Sequence, residues 1–233
     1  MKPIICGFVP VSLIDYPGKI ASVIFTHGCN LRCRYCHNRE LVVGSATDNL
    51  LEDFLNHLQG KDIEGVVVTG GEPLVSCGIV DLLSSIKDAG YALKLDTNGY
   101  MPKRLREVCD VAKPDLVSVD VKAFNDEDMQ SITRTSYKLE SLYKTVEVLK
   151  KQEVPFELRH TLWKLPNRAE VQALMNGLKV NELTVQFPVV NGKWLDKRFR
   201  INMEDISYEN VLEVFNGIEV SYRNIPPNVP LLK

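Results

Sequence analysis

Three cysteines stand close together in the segment HGCNLRCRYCHN, residues 27–38, with Cys29, Cys33 and Cys36 in a CxxxCxxC spacing. Thiolates are soft ligands that suit iron–sulfur clusters, zinc and copper(I). A cubane cluster has four irons, each wanting an outer ligand, and four cysteines usually supply them. Three cysteines leave one iron free to bind a small molecule directly, which turns an electron carrier into a catalyst. The competing reading is a structural zinc site in which His27 or His37 completes a Cys3His tetrahedron. Cys6, Cys77 and Cys109 lie far apart and read as ordinary small hydrophobes. Six cysteines so distributed do not form a disulfide framework.

Further polar motifs follow at intervals. Thr69-Gly70-Gly71-Glu72-Pro73 places two glycines where tight turns and close backbone approach are allowed, though a plain strand-to-helix turn with proline at the helix start explains it equally. Asp96-Thr97-Asn98-Gly99 reads as a turn or cap on its own. Asp120, two residues before Lys122, ends an apolar run and needs a partner if buried. Arg159, in PFELRH, fits either a ligand contact or an ordinary salt bridge.

The elements that must position these motifs alternate. Short runs rich in β-branched residues at Ile20–Phe25, Gly65–Thr69, Tyr91–Asp96, Asp115–Val121, Pro155–Leu162 and Glu182–Phe187 predict six buried strands. Between them lie helical patterns: Leu50 to Leu58; Ile79, Leu82, Leu83 and Ile86; Lys103–Cys109; Leu139 to Leu149; Val171, Leu174, Met175 and Leu178. A last helix is expected near Asp205–Phe215 and a short strand at Ile218–Tyr222. Strand–helix alternation predicts parallel pairing through right-handed crossovers. Six units are too few for a closed barrel of about 250 residues and suit an α/β fold that is either an open, partial barrel or a doubly wound sheet. In such folds ligands bind at the carboxyl ends of the strands, and the cysteine segment, Gly70–Glu72, Asp96–Asn98, Asp120–Lys122 and Arg159 all fall at or near those ends. One domain is expected over residues 1–233, with a core of about 19–190 and a C-terminal helix and tail over 203–233, the tail from Ile225 extended or disordered.

With Tyr35 before its last cysteine, the CxxxCxxC segment resembles the signature of radical S-adenosylmethionine (SAM) enzymes, and YCHN (Tyr35–Asn38) resembles the subset called glycyl-radical-enzyme activating enzymes. The resemblance runs from the N-terminal GFVPVSLIDYPGK to about Pro188. It implies a partial (β/α)6 barrel and a [4Fe–4S] cluster on Cys29, Cys33 and Cys36, whose open iron is chelated by the methionine moiety of SAM. Reductive cleavage at such a cluster gives methionine and a 5′-deoxyadenosyl radical, which takes a hydrogen atom from the substrate. The resemblance further implies that Tyr35, Gly70, Gly71, Glu72, Asp96, Thr97, Asn98, Asp120, Lys122 and Arg159 bind the cofactor, with Asp96 and Asp120 beside a monovalent cation. The opening segment is similar to activating proteins of anaerobic ribonucleoside-triphosphate reductases. That branch implies a glycyl radical enzyme as partner, approached near Asp15, and a flavodoxin or ferredoxin-like electron donor. Two departures stand out: Tyr16 where related chains carry glycine, and Val189-Val190 after Pro188 where they place a histidine.

Composition sets the outer bounds. The 233 residues carry a net charge of −2 with no basic stretch, which argues against a nucleic-acid partner. No apolar run approaches the roughly 20 residues needed to span a bilayer, and the proline-broken opening is no signal peptide, so a cytoplasmic location is expected. Two other functions remain open at this level: a radical SAM enzyme acting on a small molecule, in the manner of 7-carboxy-7-deazaguanine synthases, and a non-catalytic zinc or iron–sulfur module.

Overall fold

The structure, a computed structural model, describes residues 3–44, 49–60, 62–189 and 194–225. Its frame is one eight-stranded sheet in which spatial order follows chain order. The strands are β1 (Ile5–Ser12), β2 (Ala21–Thr26), β3 (Gly65–Gly70), β4 (Ala92–Thr97), β5 (Leu116–Asp120), β6 (Phe156–Thr161), β7 (Glu182–Gln186) and β8 (Glu219–Arg223). β1 pairs antiparallel with β2, and every later pair is parallel. The sheet does not close, so the architecture is the expected partial (β/α) barrel, with β2–β7 as its six anticipated strands and β8 as a seventh parallel one.

β1 was not expected, because Pro3 and Pro10 make its sequence look broken. The strand tolerates Pro10 because it is an edge, where a missing backbone donor costs no ladder bond. The helices are α1 (Arg39–Val43), α2 (Leu51–Leu58), α3 (Ile79–Asp88), α4 (Pro102–Val111), α5 (Asp126–Thr133), α6 (Leu139–Lys151), α7 (Arg168–Leu178) and α8 (Tyr208–Val214). Two of them, α1 and α5, were not anticipated either. α3 and α7 bury the residues their periodicity predicts: Ile79, Leu82, Leu83 and Ile86 in the first, Val171, Leu174, Met175 and Leu178 in the second. Residues 226–233, expected to be an extended tail, lie outside the described residues.

Strand alternation sorts side chains to two faces. Val66, Val68, Leu93, Leu95, Val117 and Val119 join the main apolar core with the helices. Val67, Ala21 and Val23 point the other way and pack with Tyr16, which closes the amino-terminal end of the concave face with Phe25, Ala92 and Leu116. Further along that face, toward the carboxyl ends, the side chains become polar.

Candidate functional site

The cysteine loop leaves β2 and is held on three sides. The amides of Arg32 and Arg34 donate to the carbonyls of Thr133 and Ile132 at the end of α5 (2.9 Å each). The amides of Leu195 and Asp196 donate to the carbonyls of Cys36 and Arg34 (2.9 and 3.0 Å). Asp196 also receives Arg34 Nε at 2.9 Å and Arg134 Nη2 at 2.5 Å, so one carboxylate ties the loop to the end of α5 and to the 194–200 segment. α5 itself begins with Asn125 accepting from the Asp128 amide and with three acidic residues in its first turn, a helix start that was readable from the sequence.

The third side is the GGEP turn. The Glu72 amide donates to the Gly28 carbonyl at 2.8 Å and the Gly71 amide to the Thr26 carbonyl at 3.0 Å. A Cβ at Gly71 would sit 2.0 Å from the Gly28 oxygen, and one at Gly70, whose φ is +139°, would sit 2.3 Å from the Thr26 nitrogen. Glycine is required at both positions by backbone contact. Glu72 caps the short 3-10 turn Pro73–Val75 through the Leu74 amide, as a plain turn reading would have it. It does more: its carboxylate also accepts from the Thr97 hydroxyl at 2.8 Å and the Asn98 amide at 2.6 Å. Asn98 forms the expected Asx turn onto the Tyr100 amide (3.1 Å) and donates from Nδ2 to Asn30 in the cysteine loop (2.7 Å). Three motifs far apart in the chain thus brace one another.

Together they enclose a cavity of about 270 Å³ lined by Cys29, Cys33, Cys36, Tyr35, Gly70, Gly71, Glu72, Asp96, Thr97, Asn98, Asp120 and Lys122. Burial pushes the Cys29 thiol up to about 11 and that of Cys33 to about 12, with Lys122 pulling the other way. Burial likewise raises Cys36 and lifts Glu72 to about 7 against the three hydrogen bonds it accepts. Asp120 goes the opposite way: burial alone would raise it, but Lys122 and Arg159 hold it at about 2.

Arg159 does not line the cavity but lies just below it, at the centre of an ion-pair ladder. Its guanidinium reaches Asp96 Oδ2 at 3.2 Å and Asp120 Oδ1 at 3.1 Å. Lys122 Nζ is 2.9 Å from Asp120 Oδ2, and Lys94 Nζ is 2.7 Å from Asp96 Oδ1. Lys94, 1% exposed, is a site residue that sequence reasoning missed. Its signal was the K-x-D alternation in YALKLD, which sends two charges to one face of a buried strand. All four oxygens of Asp96 and Asp120 therefore face protein cations, and the pair does not fit the monovalent ion expected between them. Among the described residues, no group of three or more His, Cys, Asp or Glu side chains is drawn into a ready metal-ligand set.

Asp15 is the outlier among the expected site residues. It sits on the exposed hairpin between β1 and β2, which enters β2 at its amino-terminal end, opposite the cavity, and it accepts from the Ser12 hydroxyl at 2.5 Å. Tyr16 beside it is part of the apolar plug, which accounts for its departure from glycine. Val189 is exposed, while Val190 lies outside the described residues. Of the two histidines considered for zinc, His27 is engaged by the Gly44 carbonyl (2.8 Å), whereas His37 lines the cavity and packs against Trp194. Cys109 is buried as expected, but Cys77 is exposed rather than part of a core.

The three thiols fit a cluster that lacks a fourth protein ligand: they share one cavity wall, and the cationic Lys122 lies close enough to favour their thiolates. A partial barrel with such a loop at its carboxyl rim, opposite glycine-rich backbone and paired charges, defines a cofactor-dependent redox enzyme. The chain belongs to the Radical SAM superfamily, whose match spans residues 23–178. It is 32% identical over 171 residues to the "Putative glycyl-radical enzyme activating enzyme MJ1227" of Methanocaldococcus jannaschii, covering 69% of each chain. It is 28% identical to a pyruvate formate-lyase-activating enzyme of Listeria monocytogenes, over 88% of this chain and 91% of the other. In fold it is similar to Streptococcus suis SuiB bound to its precursor peptide SuiA, with a TM-score of 0.65 and 13% identity, over 86% of this chain and 47% of that one. The chain is thus a radical SAM enzyme related to the glycyl-radical-enzyme activating enzymes. No helix among the described residues is long and apolar enough to cross a membrane.

Proposed function

We propose that this chain is a single catalytic domain that binds a [4Fe–4S] cluster through Cys29, Cys33 and Cys36 and cleaves SAM reductively, to generate a glycyl radical on a partner enzyme of the anaerobic ribonucleotide reductase type. The observation that carries the reading is the convergence of the cysteine loop, Gly70–Glu72, Asp96–Asn98 and Asp120–Lys122 on one cavity. When bound, the cluster supplies one electron to the sulfonium, and cleavage of the sulfur–C5′ bond leaves methionine and a 5′-deoxyadenosyl radical.

The protein's own part is to bind, orient and exclude water. Glu72, with its carboxylate already fixed by Leu74, Thr97 and Asn98, offers a rigid acceptor to the amino group of SAM. The backbone of Gly70 and Gly71 lets the methionine moiety lie close to the sheet rim. Lys122, 14% exposed and paired with Asp120, supplies a cation at the cavity wall for the SAM carboxylate. Tyr35, under the Lys122 ammonium at 5.9 Å, packs against the side of the loop away from solvent. A flavodoxin or ferredoxin-like protein is the expected electron source, and the cytoplasm the expected location.

Anaerobic reconstitution followed by incubation with reductant and SAM tests the first part: 5′-deoxyadenosine is expected, and colourless, iron-free protein holding zinc would overturn it. A glycyl doublet in the EPR spectrum, on addition of an anaerobic ribonucleotide reductase, tests the second.

A further inference from the structure

One charged group in the barrel has no assigned task. Lys94 lies in the middle of β4, is 1% exposed, and points to the concave face beneath the cavity. Burying an ammonium is costly unless its charge is met, and here it is met twice, by Asp96 Oδ1 at 2.7 Å and by Glu157 Oε1 at 3.9 Å. The register makes this possible: Asp96 lies opposite Ser118 on β5, Ser118 lies opposite Glu157 on β6, and the Ser118 hydroxyl donates to Glu157 at 2.5 Å. The concave face then carries Lys94, Arg159 and Lys122 against Asp96, Asp120 and Glu157, three charges of each sign, with Arg223 at the rim 3.4 Å from Glu157. An added alkali ion between Asp96 and Asp120 would be an uncompensated charge, pressed against two or three protein cations already on those oxygens.

We propose that Lys94 is the resident cation of this site: its ammonium, tethered to β4 and seated on Asp96, takes the place of a soluble monovalent ion, so that the SAM cavity is electrostatically complete without one. The inference rests on the proposed SAM binding. Lys94 acts through Asp96 and is a positioning residue. By neutralising Asp96 Oδ1 it leaves Arg159 free to bridge Asp96 and Asp120, and it keeps the cavity floor from repelling the SAM carboxylate.

The test compares SAM affinity of the anaerobically reconstituted protein, by titration calorimetry, in potassium chloride and in tetramethylammonium chloride at equal ionic strength. The wild type is expected to bind equally in both, within about twofold. Lys94→Met, which keeps the chain length and removes the charge, is expected to lose about tenfold or more in tetramethylammonium and to recover in potassium. The apo-protein gives an independent readout: potassium should raise the melting temperature of Lys94→Met and leave the wild type unchanged. A wild type that itself needs potassium for tight binding would overturn the inference, as would a Lys94→Met protein weakened equally in both salts. If Lys94→Met does not fold, the wild-type comparison decides. If the wild type binds no SAM in either salt, the proposed function fails, and the apo-protein melting comparison still decides the role of Lys94.

Discussion

The two faces of the sheet are built from the same strands and solve opposite problems. Outward, Val66, Val68, Leu95, Val117 and Val119 meet the helices in a continuous apolar layer where every neighbour is interchangeable in kind. Inward, the same strands begin with an apolar plug around Tyr16 and end in an ion-pair ladder, where each charge is tolerated only because a specific partner sits within about 3 Å. The outer face stores stability in many small, replaceable contacts. The inner face holds few, mutually dependent ones, and it is there that a ligand can be recognised.

The comparison is broken most severely at the loop that crowns the inner face. Cys33→Ala is expected to abolish iron binding on reconstitution and to lower SAM cleavage by at least about 100-fold, while circular dichroism stays native. Retained iron would show that the trio is not the ligand set. Next comes Arg159→Met, which leaves Asp96 and Asp120 facing each other; chemical denaturation should show a loss of about 3–5 kcal/mol. On the outer face, Leu95→Ala should cost about 2–5 kcal/mol yet leave SAM affinity of the folded protein unchanged. Should both variants impair binding alike, the distinction between the faces fails. Gly71→Ala, whose Cβ would meet the Gly28 carbonyl, is expected to cost about 1–3 kcal/mol and to loosen the cysteine loop, seen as faster hydrogen exchange at Glu72.

Acidity gives the finest probe, because two carboxylates of the cavity respond in opposite directions. Asp120 is held down at about 2, so the stability it contributes is present above its ordinary value of 3.8 and lost as pH falls through 2. Glu72 is raised to about 7, so its contribution is greatest below its ordinary 4.5 and is lost as pH rises through 7. A SAM ammonium needs Glu72 ionised. Binding at pH 6 should therefore release protons, visible as buffer-dependent heats in calorimetry, and affinity should fall with decreasing pH below about 7. Buffer-independent heats would mean that Glu72 does not meet the ligand. Buried His160 takes no part in this window: burial lowers it to about 4, and it stays neutral with Nδ1 2.7 Å from the Val121 carbonyl.

Much of the molecule was legible from local pattern. Strands β2 to β7, the apolar stripes of α3 and α7, and the strand-end motifs all follow from periodicity and from glycine or asparagine at turns. β1 was missed because Pro10 argues against a strand until its place at an edge is known. α5 was missed because a short helix, α5, shares one crossover with the longer α6, whose stronger apolar stripe overshadows the NDED start before it. The exposed Cys77, expected to pack as a small hydrophobe, shows the converse: residue type alone does not fix burial where no periodic stripe carries the side chain inward.

By itself, then, the amino-acid order determined which residues stand at the ends of strands, because chain direction and alternation fix that without reference to any partner. Which of those residues touch was decided by the sheet. Asp120 meets Arg159, and Lys94 reaches Glu157, only because parallel registry sets positions tens of residues apart side by side. Charge compensation is a property of pairs, and pairs across strands exist only once the sheet has formed.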